Sequence, residues 1–509
     1  MNKLFIYTDS KHLSELKSII ESEDRLSELI AISTNTEAEI YGYSIFIDRD
    51  QIQTFPLWDS TKLPILLPPN ISFTKHNLLG VIFYLLENYD KAYQYFKENE
   101  ELQLYTEICS NLLHGEVIAD TSFEKLTLKG KSDQTTLHNL AIANQYGNPN
   151  IAFHDVNGSY KEALDFPLTP ENSERLYYTA RQYASFLADA SLYHEAIHIL
   201  EPYKQEQSLS PLAKTNISTL IIHLQIKLLS QPFEEKLIKQ LKSNLSVCIS
   251  ELKERGLYIE EAFALMDASY LATIEQDYAN GLTDIQRAID LFNDADIEEL
   301  AANAGLQKAD LLFTWAQQGN PQYYREAMNS CLKALEVFKR DKTPDLFADI
   351  HHKLGTIYSE VLDEEKKRSL WTSFSISSFN EALTFFTKEN YPYEYALICT
   401  DQGNAYTKYP HAEHSDNYAK ALDWYGKALE IQNADDYPNE RSITLLDYIE
   451  AAWNLKFESD FDQTLFDDMM QKAEEVKQLH VNDEFVMEAD RHITHLRELA
   501  SQMKTDSKE

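Results

Sequence analysis

The chain is poor in the residues that punctuate strands: 13 glycines and 15 prolines among 509 residues. A β-rich fold needs a turn every few residues, so this scarcity excludes a sandwich or barrel and favours long helices with short joints. Cysteine is also scarce. Cys109, Cys248, Cys331 and Cys399 lie far apart and form no CxxC pair, which excludes a zinc ribbon and a disulfide framework. Each sits among apolar neighbours at helical spacing, where a thiol serves as a small hydrophobe. Basic residues are outnumbered, 46 against 82 acidic, for a formal charge of −36. Such a field repels phosphate backbones and favours basic partners, so direct nucleic-acid binding is not expected. No apolar run reaches the roughly 18 residues of a membrane span. Charge soon interrupts the apolar run after Lys3, unlike a signal peptide. A reducing, cytoplasmic setting is the expectation. No phosphate-binding glycine loop, dinucleotide fingerprint or G-x-S-x-G occurs, and no cofactor is expected.

What is present is repetition. An alanine followed by an apolar residue recurs at Ala288-Ile289, Ala334-Leu335, Ala382-Leu383 and Ala428-Leu429, in steps of 46, 48 and 46 residues. Ten residues after the last three alanines stand Pro344, Pro392 and Pro438. A second phrase follows 21 residues after the alanine: Lys308-Ala309, Leu354-Gly355 and Gln402-Gly403. Leu312, Tyr358 and Tyr406 come three residues later. A helical phrase at this period predicts a solenoid, which works by surface rather than by a catalytic pocket.

The first 70 or so residues differ. Leu4 to Tyr7 reads as a strand, residues 10–25 as a helix, Tyr43 to Ile47 as a second strand, and Pro64 to Leu67 as a third. That order predicts a small α/β unit. Leu67-Pro68-Pro69-Asn70 reads as a joint. Asp9, Asp48 and Asp50 lie near strand ends, where an α/β site would sit, but such acids are more often turn formers and caps. From about Ser72 the pattern is helical. Residues 115–131 are the least helical stretch and read as a loop or hairpin, and residues 484–503 as a closing amphipathic helix with a frayed tail from Lys504.

The run Asn77-Leu78-Leu79-Gly80, then Phe83, Ala92 and Phe96, puts small residues where two short helices would cross and large ones at the flanks. With this spacing the chain resembles the tetratricopeptide repeat (TPR) family. The match recurs at Tyr183-Ala184, Leu187, Ala196 and Leu200. It recurs in expanded form at Leu354-Gly355, Tyr358 and Ala382, and at Gln402-Gly403, Tyr406 and Ala428. The resemblance spans about residues 72–479 and implies a mainly α fold, a right-handed α-α superhelix behind the N-terminal α/β unit. The divisions expected are residues 1–70, 71–480 and 481–509. The family period is about 34, so extra residues must lengthen helices or inner turns; 313–324 and 363–372 are the insertions expected. The expanded form is similar to bacterial repeat arrays that carry caspase-like domains, but no matching His and Cys motif is visible here.

One catalytic-looking motif occurs. His194-Glu195-Ala196-Ile197-His198 satisfies H-E-x-x-H, in which two histidines on one helical face hold zinc and the glutamate acts as base. Ala196 is already explained as a crossing residue of a repeat, and no third ligand stands at the family spacing. A metal-dependent hydrolase using His194, Glu195 and His198 is therefore the lesser reading, and no metal is expected. The tyrosines and phenylalanines read mostly as repeat core.

In the family that the chain resembles, first helices line the concave face. Counted from the Gly or Ala of each repeat, the groove residues would be Asn77, Arg181, Asp310, His352, Thr356 and Asn404. The Lys-Asn-Lys-Arg clamp of some members is not evident. The expected function is a non-enzymatic scaffold binding a protein or peptide, of basic character to suit the charge. The alternative is a peptide-gated regulator of an effector.

Overall fold

The computed structural model describes residues 3–34, 44–130, 133–230, 232–410, 416–455 and 462–506. Contacts divide the chain into two compact units, Met1–Leu271 (unit 1) and Ala272–Glu509 (unit 2).

Unit 1 opens with β1 (Leu4–Thr8), α1 (Leu13–Glu21), β2 (Ile30–Ser33), β3 (Ser44–Asp48), β4 (Gln51–Thr54) and β5 (Asn70–Ser72). The sheet order is β2-β1-β3-β4-β5, with β1 parallel to β2 and β3, and the β3-β4 and β4-β5 pairs antiparallel. Arg49 and Asp50 join β3 to β4 at φ 48° and 61°, the left-handed pair of a two-residue hairpin turn. Leu4, Ile6, Ile45 and Ile47 are buried against Leu16, Ile19 and Ile20 of α1. The expected strands at Leu4 and Ser44 are present; Tyr43 lies outside the described residues, as do 507–509 of the expected frayed tail. Pro64–Leu67 is not a strand: with prolines at both ends and partners on helices, it runs extended without a ladder.

The helices of unit 1 are α2 (Lys75–Leu85), α3 (Tyr89–Tyr95), α4 (Glu100–Leu113), α5 (Asp120–Gly130), α6 (Gln134–Gly147), α7 (Phe153–Leu164), α8 (Ser173–Asp189), α9 (Tyr193–Leu200), α10 (Pro211–Lys227), α11 (Glu235–Glu254) and α12 (Tyr258–Ile274), the last reaching the division. Residues 120–130, expected as loop or hairpin, form α5. The buried faces of Phe123 and Leu126 outweigh the weak periodicity there. α2 packs on α3, α6 on α7, α8 on α9 and α10 on α11.

Unit 2 holds α13 (Tyr278–Asp294), α14 (Glu298–Gln317), α15 (Tyr323–Val337), α16 (Pro344–Glu360), α17 (Glu365–Leu383), α18 (Pro392–Lys408), α19 (Asn417–Leu429), α20 (Pro438–Ala452), α21 (Gln463–Leu479) and α22 (Asp483–Asp506). α14 packs on α15, α16 on α17 and α18 on α19, and α20, α21 and α22 close the stack. The recurring prolines are each the first residue of a first helix, α16, α18 and α20. There the missing N–H costs nothing and the fixed φ favours entry. The two expected insertions lengthen α14 at its end and α17 at its start.

The hairpins share one crossing. A Cβ on Gly80 would lie 2.4 Å from the Phe96 ring, on Gly355 2.8 Å from Phe379, and on Gly403 2.4 Å from Tyr425. Each aromatic therefore sits against bare backbone of the first helix. The step from glycine to ring is 16 residues in the first hairpin, 24 and 22 in the others. This corrects two alignments: four residues before each ring stand Ala92, Ser375 and Ala421, all fully buried, so Ser375 and Ala421, not Ala382 and Ala428, match Ala92. Ser375 Oγ donates to Gly355 O at 2.5 Å, so a hydroxyl serves at that close approach.

Candidate functional site: the first-helix faces

In unit 1 the first-helix face is occupied. The β4–β5 connection, residues 55–69, leaves the sheet and returns to it. Its ends are joined by the Thr54 N–H to Pro69 O at 3.1 Å and the Thr54 hydroxyl to Pro68 O at 2.7 Å. Between them the loop lies along the helices. Asn139 on α6 reads Leu66 twice, accepting from its N–H and donating to its carbonyl, both at 2.8 Å. His138 Nε2 donates to Pro64 O at 2.7 Å, Tyr84 of α2 donates to Ile65 O at 3.4 Å, and Arg175 of α8 donates to Leu67 O. Glu260 of α12 accepts from the Ser60 N–H at 2.8 Å. Trp58 stacks on Tyr177 with centroids 5.3 Å apart, meets Tyr178 edge-on, and donates from Nε1 to Glu174 at 3.2 Å. Trp58, Ile65, Leu66 and Leu67 are buried. Burial pushes the pKa of His138 down to about 4, with Arg175 adding to the effect and the Pro64 carbonyl opposing it. The ring is thus neutral, Nε2 carrying the proton and Nδ1 accepting from Thr179 at 2.9 Å. Burial also lowers Arg175 to about 10.

Two of the expected groove residues lie in unit 1. Arg181 faces this loop and donates to Ser60 Oγ at 2.9 Å. Asn77 is taken up in capping: its N–H donates to Thr74 Oγ1 at 3.1 Å and its amide to Ser72 O at 2.9 Å.

In unit 2 the other four residues stand on successive first helices, and two of them, Asp310 and His352, pair with a neighbouring first helix. Lys353 of α16 pairs with Asp310 of α14 at 2.9 Å. His352 of α16 meets Asp401 of α18 at 2.7 Å. Thr356 turns its hydroxyl back to His352 O at 3.4 Å. Asn404 of α18 accepts from Tyr425 OH at 2.5 Å and is one of the two groups that pull the pKa of Asp447, on α20, down. Lys408 pairs with Glu360.

These carboxylates are under-neutralised. The Asp310 side chain is 57% exposed, yet desolvation raises its pKa above the ordinary carboxylate range. Lys353 opposes that shift and Asp349 adds to it. Exposure with desolvation marks a group surrounded by protein without being covered. Lys353 gains from the pair, since Asp310 and Asp349 outweigh its own burial; one ammonium does not fully compensate two carboxylates. Asp447 goes further, raised to about 6 by desolvation and by Glu450 and Asp401, against the pull of Asn404 and Lys408. It was not among the residues singled out from sequence. The signal was available: Asn404 to Asp447 and Asp310 to Lys353 are the same 43-residue step between first helices.

The H-E-x-x-H residues lie on α9. His194, Glu195 and His198 are exposed while Ala196 is fully buried, as a crossing residue should be. They line a shallow cavity of about 490 Å³ with Phe153, Asn157 and Lys161 of α7. Among the described residues, no group of three His, Cys, Asp or Glu is placed to hold a metal ion. No helix among them is long and apolar enough to cross a membrane. At the sheet, Asp9 and Asp50 flank buried His12 at 2.8 and 3.0 Å. Asp9 also accepts from the Lys11 and His12 N–H groups as a cap. Hydrogen bonding to Asp50, and then to Asp9, raises the His12 pKa against its burial.

No protein-family model matches the chain. No curated protein sequence matches it either. Similar solved structures include the human IFIT1 dimer with PPP-AAAA, at 13% identity and TM-score 0.46, covering 84% of this chain and 90% of that one. A STAND protein with a tetratricopeptide repeat sensor from Pyrococcus horikoshii is similar at 14% identity and TM-score 0.49 over 78% of this chain; the match spans 55% of that protein's length. The APC/C Cut9-Hcn1 hetero-tetramer is similar at 14% identity and TM-score 0.31, over 86% and 79%. By its own paired helices, with a small residue of the first seated under an aromatic ring of the second, the chain is a TPR-like helical-repeat protein.

Proposed function

We propose that the chain is a protein-interaction scaffold rather than an enzyme, and that the first-helix face of unit 2 binds a basic segment of a partner protein. The observation that carries this reading is the state of Asp447. Its carboxyl is raised to about 6, by desolvation first and then by Glu450 and Asp401, so its charge is held at a cost from burial and from like-charge repulsion that Lys408 does not offset. A lysine or arginine from a partner relieves that repulsion, gaining more there than at a fully solvated carboxylate. Asp310 is raised likewise, by desolvation first and by Asp349, three helical hairpins earlier. The repeat fold supports the reading, because stacked hairpins present a long continuous surface.

Fluorescence anisotropy with a labelled, extended lysine–leucine peptide tests it. The full chain should bind this peptide and not its glutamate–leucine counterpart, and Asp447→Asn should weaken binding about fivefold to tenfold. Affinity should rise as pH increases through about 6, where Asp447 ionises. Equal binding of both peptides, or none, would remove the basis for the proposal.

A further inference from the structure

We propose that the first-helix face of unit 1 is a second polypeptide-binding groove, filled in cis by residues 58–67, and that it accepts from a partner an extended segment of the same chemistry: an aromatic anchor followed by an apolar run. The face differs from the acidic one of unit 2 in both chemistry and ligand.

The way the loop is held carries this inference. Ser60 N–H, Pro64 O, Ile65 O, both main-chain groups of Leu66, and Leu67 O are all partnered by side chains of α2, α6, α8 and α12. A loop that merely closes a sheet satisfies its main chain with turns or neighbouring strands. Here helices far away in sequence supply the partners, 19 residues on for Tyr84 and 200 for Glu260. Main-chain recognition of this kind selects extended polypeptide as such. The side chains then give specificity, Trp58 between Tyr177 and Tyr178 and Ile65–Leu67 in the core.

A second observation points to exchange. Arg175 is almost fully buried, and its Nε and Nη1 have no hydrogen-bond acceptor among the described residues. Its remaining nitrogen donates to Leu67 O and to Thr135 Oγ1. The cis segment thus leaves donors of a buried cation open, and an incoming segment with a further acceptor at that point would satisfy them. Tethering favours the cis segment through high effective concentration, so exchange in the intact chain is held back rather than forbidden.

Two measurements test the proposal. In the full wild-type chain, hydrogen exchange followed by mass spectrometry should find residues 58–67 exchanging about tenfold faster or more than α6 and α8, because the segment opens without the helices that hold it. In a chain whose residues 57–67 are replaced by a Gly-Ser linker of equal length, a fluorescein-labelled peptide of the native 56–68 sequence should bind saturably. Asn139→Ala should weaken that binding at least about tenfold, and the wild-type chain should bind the peptide far more weakly. Exchange of the segment in step with α6 and α8, failure of the replaced chain to fold, or failure of the folded replaced chain to bind the peptide would each overturn the proposal and leave the loop as ordinary core.

Discussion

Both units are built from the same hairpin, yet their first-helix faces have opposite character. In unit 1 the face is filled: Asn139, His138, Tyr84 and Arg175 hold main chain, and the apolar loop fuses sheet and helices into one continuous core from Leu4 to Leu224. In unit 2 the face carries charged residues that link each repeat to the next, and the apolar core breaks into separate clusters. The second pattern is what stacking of neighbours alone produces. The first requires a segment that contacts several hairpins at once. A repeat architecture therefore does not settle whether a face is open. Residues outside the repeats do.

The sharpest way to break this contrast is to remove the residue that reads the loop. Asn139→Ala leaves both main-chain groups of Leu66 buried without partners, at a cost of about 3 kcal/mol. The expected result is a lower denaturant midpoint for unit 1 with unit 2 unchanged, resolved by hydrogen exchange on each unit's helices. A uniform loss across both units, or a loss below about 0.5 kcal/mol, would mean that the loop is not held as described.

The crossings test the opposite claim, that the two units share one construction. Gly80→Ala and Gly403→Ala each drive a Cβ to 2.4 Å from a rigid ring, and each should cost about 2 kcal/mol by overpacking. Gly426 on α19 has nothing within 4 Å of its added Cβ, so Gly426→Ala should instead stabilise by about 0.5–1 kcal/mol through helix propensity. Thermal melts of the three variants check both signs. Unequal costs for Gly80 and Gly403 would separate the short and long hairpins.

The crossings also mark how far the sequence was legible. Helical repetition, the prolines at helix starts and the crossing glycines were visible because each is a local pattern of small and large residues. The alignments of Ala382 and Ala428 with Ala92 are not right, because each second helix offers two buried small positions seven residues apart, Ser375 and Ala382 or Ala421 and Ala428, and spacing from the ring alone chooses between them. The loop was not legible: an apolar run between prolines resembles a strand or a joint, and its partners lie 73 residues away at Asn139 and 108 at Arg175. Of the expected groove residues, Arg181 faces that loop and Asn77 is a capping group, while four fall on the unit 2 face beside the unforeseen Asp447.

Acidity should move the two faces in opposite directions. His138 has a folded pKa of about 4, below its ordinary value, so its contribution is complete above pH 6.5 and is lost as pH falls toward 4. Between pH 7 and 5 unit 1 should lose about 2 kcal/mol from this group. Asp447 has a folded pKa of about 6, above its ordinary value, so its contribution is full below about 3.8 and is lost as pH rises through 6. Over the same drop unit 2 should gain about 1 kcal/mol. Hydrogen exchange of α6 and α8 against α18 and α20 at the two pH values reads both changes at once. Parallel changes would erase the contrast.

The smallest effect carries the most information about function. At pH 7, Asp447→Asn removes a carboxylate that desolvation and its acidic neighbours disfavour, and should stabilise unit 2 by about 1 kcal/mol in the absence of any partner. The same change should weaken the lysine–leucine peptide by a similar free energy. A residue kept only for folding would lose stability on substitution, and one on an inert solvated surface would change neither quantity. A gain in stability paired with a loss in binding is the signature of charge held unfavourably for a ligand. Both are measurable on one preparation, by chemical denaturation and by anisotropy at low salt. Repeating the titration at higher ionic strength should shrink the binding difference more than the stability difference, because the peptide's charges are screened over their whole approach and Asp447 is partly shielded by protein.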